Sequence, residues 1–262
     1  KLKYPYLSEV LIVDGGSSDK TIEISKKSKL PIKIVNGGYK NNQEARRGIG
    51  VKMARSEICL FIDSDNYLVG ENWLKSMVEP LIEDRKIIAT QTLRYSAPKN
   101  ATIFNRYFGL FGGADPVAYY LGKNDRLSCA FDNWNLLGKV VSENERYFTV
   151  EFNPKNYPTV GCNGVAFRRS ILLKSRWDDP ENFFHTDVFV DVARLGFRRF
   201  AIVKNEINHN TADNIKTFLN KRKKYMELHY QKLNSKRRYF VLNFKSFTDI
   251  ARLFLFILFT LT

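Results

Sequence analysis

The sequence predicts an α/β fold, a doubly wound and mostly parallel sheet flanked by helices, and three observations carry that prediction. Apolar runs of strand length alternate with stretches of helical spacing over residues 1–95, the pattern of βαβ units with parallel pairing. Two of the strand-like runs end in acids: residues 9–13 lead into Asp14-Gly15-Gly16-Ser17-Ser18-Asp19, and residues 59–62 lead into Asp63-Ser64-Asp65. In such a sheet the carboxyl ends of strands open onto the ligand crevice, so acids at two of them can meet one ligand and one metal ion. Finally, 262 residues with 44% hydrophobic and 14% aromatic content supply ample material for a core.

The elements follow in order. Residues 9–13 form a short apolar strand closed by a Gly-Gly-Ser-Ser turn, after which Asp19-Lys20-Thr21 opens a helix carrying Ile22 and Ile24. Residues 31–35 read as the next strand, with Asn36-Gly37-Gly38 as its turn. A helix over 45–54, a buried strand over 58–62, a helix over 73–82 and a strand over 87–93 complete the first half. From 96 to 158 the texture changes. Phe104, Tyr107, Phe108 and Phe111 recur at helical spacing until Gly112-Gly113 interrupts them; such a stripe serves either as core packing or as an apolar surface for a lipid-like acceptor. Residues 159–167 read as a strand and turn built on Gly161-Cys162-Asn163-Gly164, leading into a helix at Arg168-Arg169-Ser170.

The formal net charge of +15 implies an anionic partner: nucleic acid, an anionic membrane surface or a phosphorylated substrate. No zinc-finger or RNA-binding motif supports nucleic acid, and none is expected as a partner. Cys59, Cys129 and Cys162 are widely spaced and odd in number, which favours free thiols over a disulfide or zinc framework. The apolar run 253–259 is too short to span a bilayer by itself. It reads as the start of a membrane helix, or else as an interfacial or core helix. The basic stretch 216–238 before it favours the cytoplasmic face of the cell membrane.

Asp63 and Asp65 stand two residues apart just past a strand, where one acid can bind a divalent cation and the other a sugar or ribose hydroxyl. Hard oxygen ligands suit Mg²⁺ or Mn²⁺, ions that commonly also hold substrate phosphates. A dinucleotide-dependent oxidoreductase is disfavoured because Met53 occupies the place of the third fingerprint glycine after Gly48 and Gly50. A sugar nucleotidyltransferase lacks its Gly-rich loop followed by Lys or Arg. A catalytically silent nucleotide- or membrane-binding module remains as the reading from another class.

The stretch from Glu9 through Asp14-Gly15-Gly16-Ser17-Ser18-Asp19-Lys20-Thr21, then Ala45-Arg46-Arg47-Gly48-Ile49-Gly50 and Phe61-Ile62-Asp63-Ser64-Asp65-Asn66, resembles the nucleotide-sugar half of the family 2 glycosyltransferases with the GT-A fold. The resemblance covers residues 5–95 and resumes over 159–230. It divides the chain into a catalytic domain over 1–238, with a nucleotide-sugar half (1–95) and an acceptor half (96–238), and a juxtamembrane segment over 239–262. The family's usual first strand, with its Ile-Pro-x-x-Asn pattern, has no counterpart here, so the chain is expected to lack a strand near the middle of the sheet.

By resemblance, Asp14 contacts the nucleoside of a UDP- or GDP-sugar, with Gly15, Ser17 and Asp19 shaping the same turn; the other reading of Asp19 is a helix N-cap. Arg46 or Arg47 lies near the base or diphosphate, or else on a solvated helix face. Asp63 and Ser64 touch ribose or donor sugar, Asp65 is the principal ligand of Mn²⁺ or Mg²⁺, and His209 completes the metal shell. Asp187 is the implied general base, with Asp191 its neighbour one helical turn on, or merely an ion-pair partner of Arg194. The basic cluster 221–225 contacts the diphosphate or lipid headgroups, or is simply solvated. The implied reaction is inverting transfer to a hydroxyl of a lipid-linked or glycan acceptor.

Overall fold

A computed structural model of the chain describes residues 4–260, apart from Ala114, Arg176 and residues 242–246, and without the side chains of Leu253 and residues 256–260. Strand β1 (Val10–Asp14) is followed by α1 (Thr21–Lys26), β2 (Ile32–Asn36), α2 (Gln43–Met53) and β3 (Ile58–Phe61), the alternation the sequence predicts. The chain continues through β4 (Asn66–Leu68), α3 (Trp73–Glu83), β5 (Ile87–Tyr95), α4 (Ile103–Phe111) and α5 (Pro116–Tyr120). A hairpin of β6 (Lys139–Glu143) and β7 (Tyr147–Glu151) leads to β8 (Val165–Arg168), α6 (Arg169–Leu172) and α7 (His185–Arg194). Strand β9 (Arg199–His209), α8 (Ile215–Met226) and α9 (Phe247–Thr260) complete the order.

The sheet is mixed rather than mostly parallel. β1 and β2 pair in parallel as a ladder of their own, and a seven-stranded sheet has the order β3-β8-β5-β9-β7-β6, with β4 added on β9. Within it β5 and β9 run parallel, while the other ladders are antiparallel. The cause is β8, which arrives late in the chain and wedges between β3 and β5. Those two keep the common direction of a βαβ unit, but each pairs with an antiparallel neighbour. The β6–β7 hairpin adds two more antiparallel strands from a region whose sequence carries no clear alternation. No ladder joins β1 to β3 among the described residues. Side chains bridge there instead: Glu9 Oε1 accepts from Arg55 N at 2.6 Å, and Ser8 meets Ser56 at 2.7 Å.

Helices cover both faces of the large sheet, so its central strands bury both sets of side chains. Along β9, Phe200 and Ile202 join Val188, Phe189 and Val192 of α7 in one core cluster. Ala201, Val203 and Ile207 alternate to the other face, where they meet Trp73, Met77 and Leu81 of α3. The aromatic stripe of α4 is packing: Phe108 is buried, Phe104 stacks on Phe218 of α8 with centroids 5.4 Å apart, and Phe111 meets Tyr119 of α5 at 4.9 Å.

No helix among the described residues is long and apolar enough to cross a membrane. α9 has 14 residues, about 21 Å of helix against a hydrocarbon core about 30 Å thick. The expectation of a spanning segment beginning at 253 therefore finds no support, and most side chains of the run 253–259 lie outside the described residues. All three cysteines are free thiols.

Candidate active site

One helix spans the two acid-bearing strand ends. Asn42 opens α2 by accepting from Ala45 N at 3.1 Å, and two consecutive arginines follow. The Arg46 guanidinium lies against Gly15, where a Cβ would come within 2.6 Å of its Nη1 and oblige the arginine to shift. Arg46 also donates to the carbonyls of Tyr39 and Lys40. Arg47 donates to Asp63 Oδ1 at 2.5 Å and to Glu44. Neither arginine sits on a merely solvated face.

The Asp14 carboxylate accepts from Gly16 N at 2.8 Å and from both the amide and hydroxyl of Ser17. Those bonds, led by Ser17, hold its pKa below the usual carboxylate value. Asp19 Oδ1 accepts from Thr21 N at 3.0 Å in a turn just ahead of the α1 N-cap, which is Lys20, and Ser64 is exposed at the tip of its turn.

Strand pairing brings Asp65 to His209. Asn66 pairs with His209 in the β4–β9 ladder, and Asn210 N donates to Asp65 O at 2.8 Å. His209 Nε2 thereby stands 3.2 Å from Asp65 Oδ1, in an orientation that makes no hydrogen bond, since Asp65 Oδ1 and His209 Nδ1 are both buried without a hydrogen-bond partner. Asn66 Nδ2, across the ladder from His209, and Asn163 Oδ1, whose amide nitrogen donates to the Tyr95 hydroxyl, are orphaned as well. Buried polar atoms in proteins are normally satisfied, so such a concentration points to a polar ligand. Lys221 of α8 lies 3.5 Å from Asp65 Oδ2 and donates to Thr211 O at 2.7 Å. Burial opposes ionisation of Asp65, but His209 and Lys221 outweigh it and lower the pKa. An ionised carboxylate beside an imidazole nitrogen is an oxygen and nitrogen donor pair suited to Mn²⁺ or Mg²⁺. His209 is held from behind by Tyr95, stacked at 5.8 Å, and by the edge of Phe108 at 4.7 Å.

A second group of possible ligands lies deeper: Glu44, Cys162 and His185 offer atoms within 4.8 Å of one another. Both Glu44 oxygens are already taken, Oε1 by Arg47 and Oε2 by the amide and Nδ1 of His185 at 3.0 and 2.9 Å. Burial disfavours the His185 imidazolium, yet Cys162 and Glu44 beside it raise its pKa to about 10. Burial likewise opposes the Glu44 carboxylate, and the cations His185 and Arg47 hold its pKa well below normal. The group is thus a charge chain, His185–Glu44–Arg47–Asp63, running from the start of α7 to the strand end beside Asp65.

Asp187 lies in the first turn of α7, rather than before the helix, and is fully buried. Arg237 grips both its oxygens at 2.9 and 3.1 Å, and Arg238 N donates to Oδ2 at 2.7 Å. The Arg237 guanidinium in turn lies 3.6 Å over the Phe184 ring. Acting as a base requires this clasp to open. Asp191 binds Arg238 at 2.7 Å, Ser175 Oγ at 2.8 Å and Arg194 at 3.3 Å, which is the ion-pair reading. Arg237→Lys keeps the charge and loses the two-pronged grip, with an expected cost of about 1.5–3 kcal/mol in chemical denaturation; a variant as stable as the parent would show that the clasp contributes little.

Sequence reading missed three parts of this region. Glu44 had a signal, an i, i+3 spacing to Arg47 on one helix. Asp125 and Arg126 had none, because they lie in an irregular buried segment. There Arg126 donates to Thr92, Tyr95, Asp125 and the Asn163 carbonyl, while Gly161 N donates to Asp125 at 2.7 Å, fixing the loop 161–164. Arg237 reaches Asp187 from fifty residues away in the chain, which no local pattern reports.

Residues 2–171, well over half of the chain, match the family model for glycosyl transferase family 2. The chain belongs to that family. Solved structures similar to this family member include a mycobacterial protein at 15% identity and TM-score 0.45, covering 80% of this chain and 59% of its own. Glucosyl-3-phosphoglycerate synthase from Mycobacterium tuberculosis, in complex with phosphoglyceric acid, is similar at 16% identity and TM-score 0.43, covering 85% of this chain and 68% of its own. GalNAc-T7 with UDP, GalNAc and Mn²⁺ is similar at 13% identity and TM-score 0.48, covering 92% and 47%. The chain thus spans about three fifths of the first of these proteins and about half of the last. No match was found among curated proteins.

Proposed function

We propose that this family 2 domain is a glycosyltransferase that moves a sugar, with inversion, from a UDP- or GDP-sugar to a hydroxyl of a lipid-linked or glycan acceptor. The observation that carries the proposal is the meeting of Asp65 and His209 at 3.2 Å with buried donor atoms left over. Asp65 and His209 would hold Mn²⁺ or Mg²⁺. When bound, such an ion supplies Lewis-acid stabilisation of the charge that grows on a departing diphosphate. The chain's own contributions surround that pair. Asp14 and its glycine-rich turn receive the nucleoside, with Arg46 against Gly15. Asp63, oriented by Arg47, faces ribose or donor sugar. Asp187 takes the acceptor proton once Arg237 and Arg238 release it, and by removing that proton it makes the hydroxyl a competent nucleophile.

The test is a turnover screen of the protein against a panel of UDP- and GDP-sugars with Mn²⁺ or Mg²⁺, using hydroxyl acceptors in lipid-linked and free form, with Asp187→Asn alongside. Ion-dependent release of UDP or GDP coupled to glycosylated product is expected, with Asp187→Asn slowed by about 100-fold or more, the usual contribution of general-base catalysis. Turnover that needs no divalent ion, or an unimpaired Asp187→Asn, would remove the corresponding part of the mechanism.

A further inference from the structure

Three helices beside the candidate site carry large apolar side chains outward. On α8, Ile215 and Leu219 lie one turn apart; on α9, Phe247, Ile250 and Phe254 follow i, i+3, i+7 spacing; on α4, Ile103 stands at the first position. These six are between 52% and 86% exposed, whereas α4 buries Asn105, Phe108 and Gly109 on its other side. The helices form one layer. Phe104 and Tyr107 of α4 pack on Phe218 of α8. Arg222 of α8 pairs with Asp115, the residue capping α5, at 3.2 Å. Arg252 of α9 donates to Leu121 O just past α5 at 3.1 Å, which keeps α9 against the domain. The exposed lysines Lys216, Lys223 and Lys224 lie among these apolar groups on α8.

We propose that this layer docks on an anionic phospholipid surface, with α8 and the described part of α9 lying in the interface. Apolar side chains mixed with lysines, as on α8, are the composition of an interfacial helix: the rings and aliphatic groups enter the acyl boundary while the ammonium groups meet lipid phosphates. Exposed apolar surface of this extent normally marks an interaction site. Charge complementarity chooses the partner, because the chain carries +15 overall and α8 is basic along its length. On the glycosyl-transfer reading, the arrangement also brings the site to the bilayer, since Lys221 of the same helix reaches Asp65; an acceptor held in lipid would then need no extraction from the membrane.

Flotation with vesicles tests the docking independently of turnover. The protein is expected to float with vesicles of phosphatidylcholine containing phosphatidylglycerol, at least ten times better than with phosphatidylcholine alone. Leu219→Glu with Ile250→Glu should lower that binding at least tenfold, as should Lys216→Glu with Lys224→Glu, without altering thermal melting because all four positions are exposed. Lack of binding to anionic vesicles, or unchanged binding by both double variants, overturns the proposal. So does a result in which the apolar variant only abolishes self-association in analytical ultracentrifugation, which would assign the layer to a second copy of the chain. Loss of glycosyl transfer with vesicle binding intact would count against the proposed activity alone.

Discussion

Asp65→Ala is expected to weaken Mn²⁺ binding by more than about 100-fold, since even the outer partners of metal ligands are worth 10–100-fold. Turnover should fall by about 10²–10³, the effect of removing one group that stabilises developing charge. The fold should survive. The Asp65 carboxylate is a burden to bury, and Lys221 keeps its bond to Thr211 O when the acid is gone. Calorimetric titration with Mn²⁺ and thermal melting together separate the roles. Weak metal binding in a variant that melts normally supports Asp65 as a ligand, and unchanged Mn²⁺ affinity removes it from the metal site. His209→Ala should weaken Mn²⁺ binding in the same direction and, unlike Asp65→Ala, lower the melting temperature, because the imidazole packed on Tyr95 and Phe108 is lost.

The legible part of this site is the part written locally. Asp14, Asp63 and Asp65 each close an apolar strand, and the turns that follow are short, so their places at the sheet edge can be read from the run and its ending. Asp19 shows the limit of that logic, because a helix cap and a binding turn call for the same residue type in nearly the same place; here its carboxylate accepts from Thr21 N, one residue ahead of the N-cap Lys20. The mixed sheet could not be read in this way. Nothing in residues 165–168 says that they will insert between β3 and β5, since an apolar strand looks the same in either direction, and long-range pairing decides the matter. The same blindness explains Asp187: the arginine that grips it comes from residue 237, fifty places further along the chain. His185 lies two residues earlier and looks incidental until its partner Glu44 is known to lie 2.9 Å away.

That pair supplies the largest stability effect. Glu44 is 1% exposed, and replacing it with glutamine leaves Arg47 half-paired and His185 without its carboxylate. Breaking a buried ion pair from one side costs about 3–5 kcal/mol, and Glu44→Gln should lose that much in chemical denaturation at neutral pH. The pH dependence gives an independent check. His185 has a folded pKa raised to about 10 from 6.5, so its contribution is fully present below about pH 6.5 and is lost as pH rises through about 10. Glu44 has a depressed folded pKa, so its contribution is present above its ordinary value of 4.5 and is lost as the medium becomes acidic. The parent protein should therefore lose stability from neutral pH towards 10 more steeply than Glu44→Gln, in which only Cys162 remains to oppose the effect of burial on the imidazole. Parallel curves for the two proteins over that range would show that His185 is uncharged in the fold, and the chain from α7 to Asp63 would then be held by Arg47 alone.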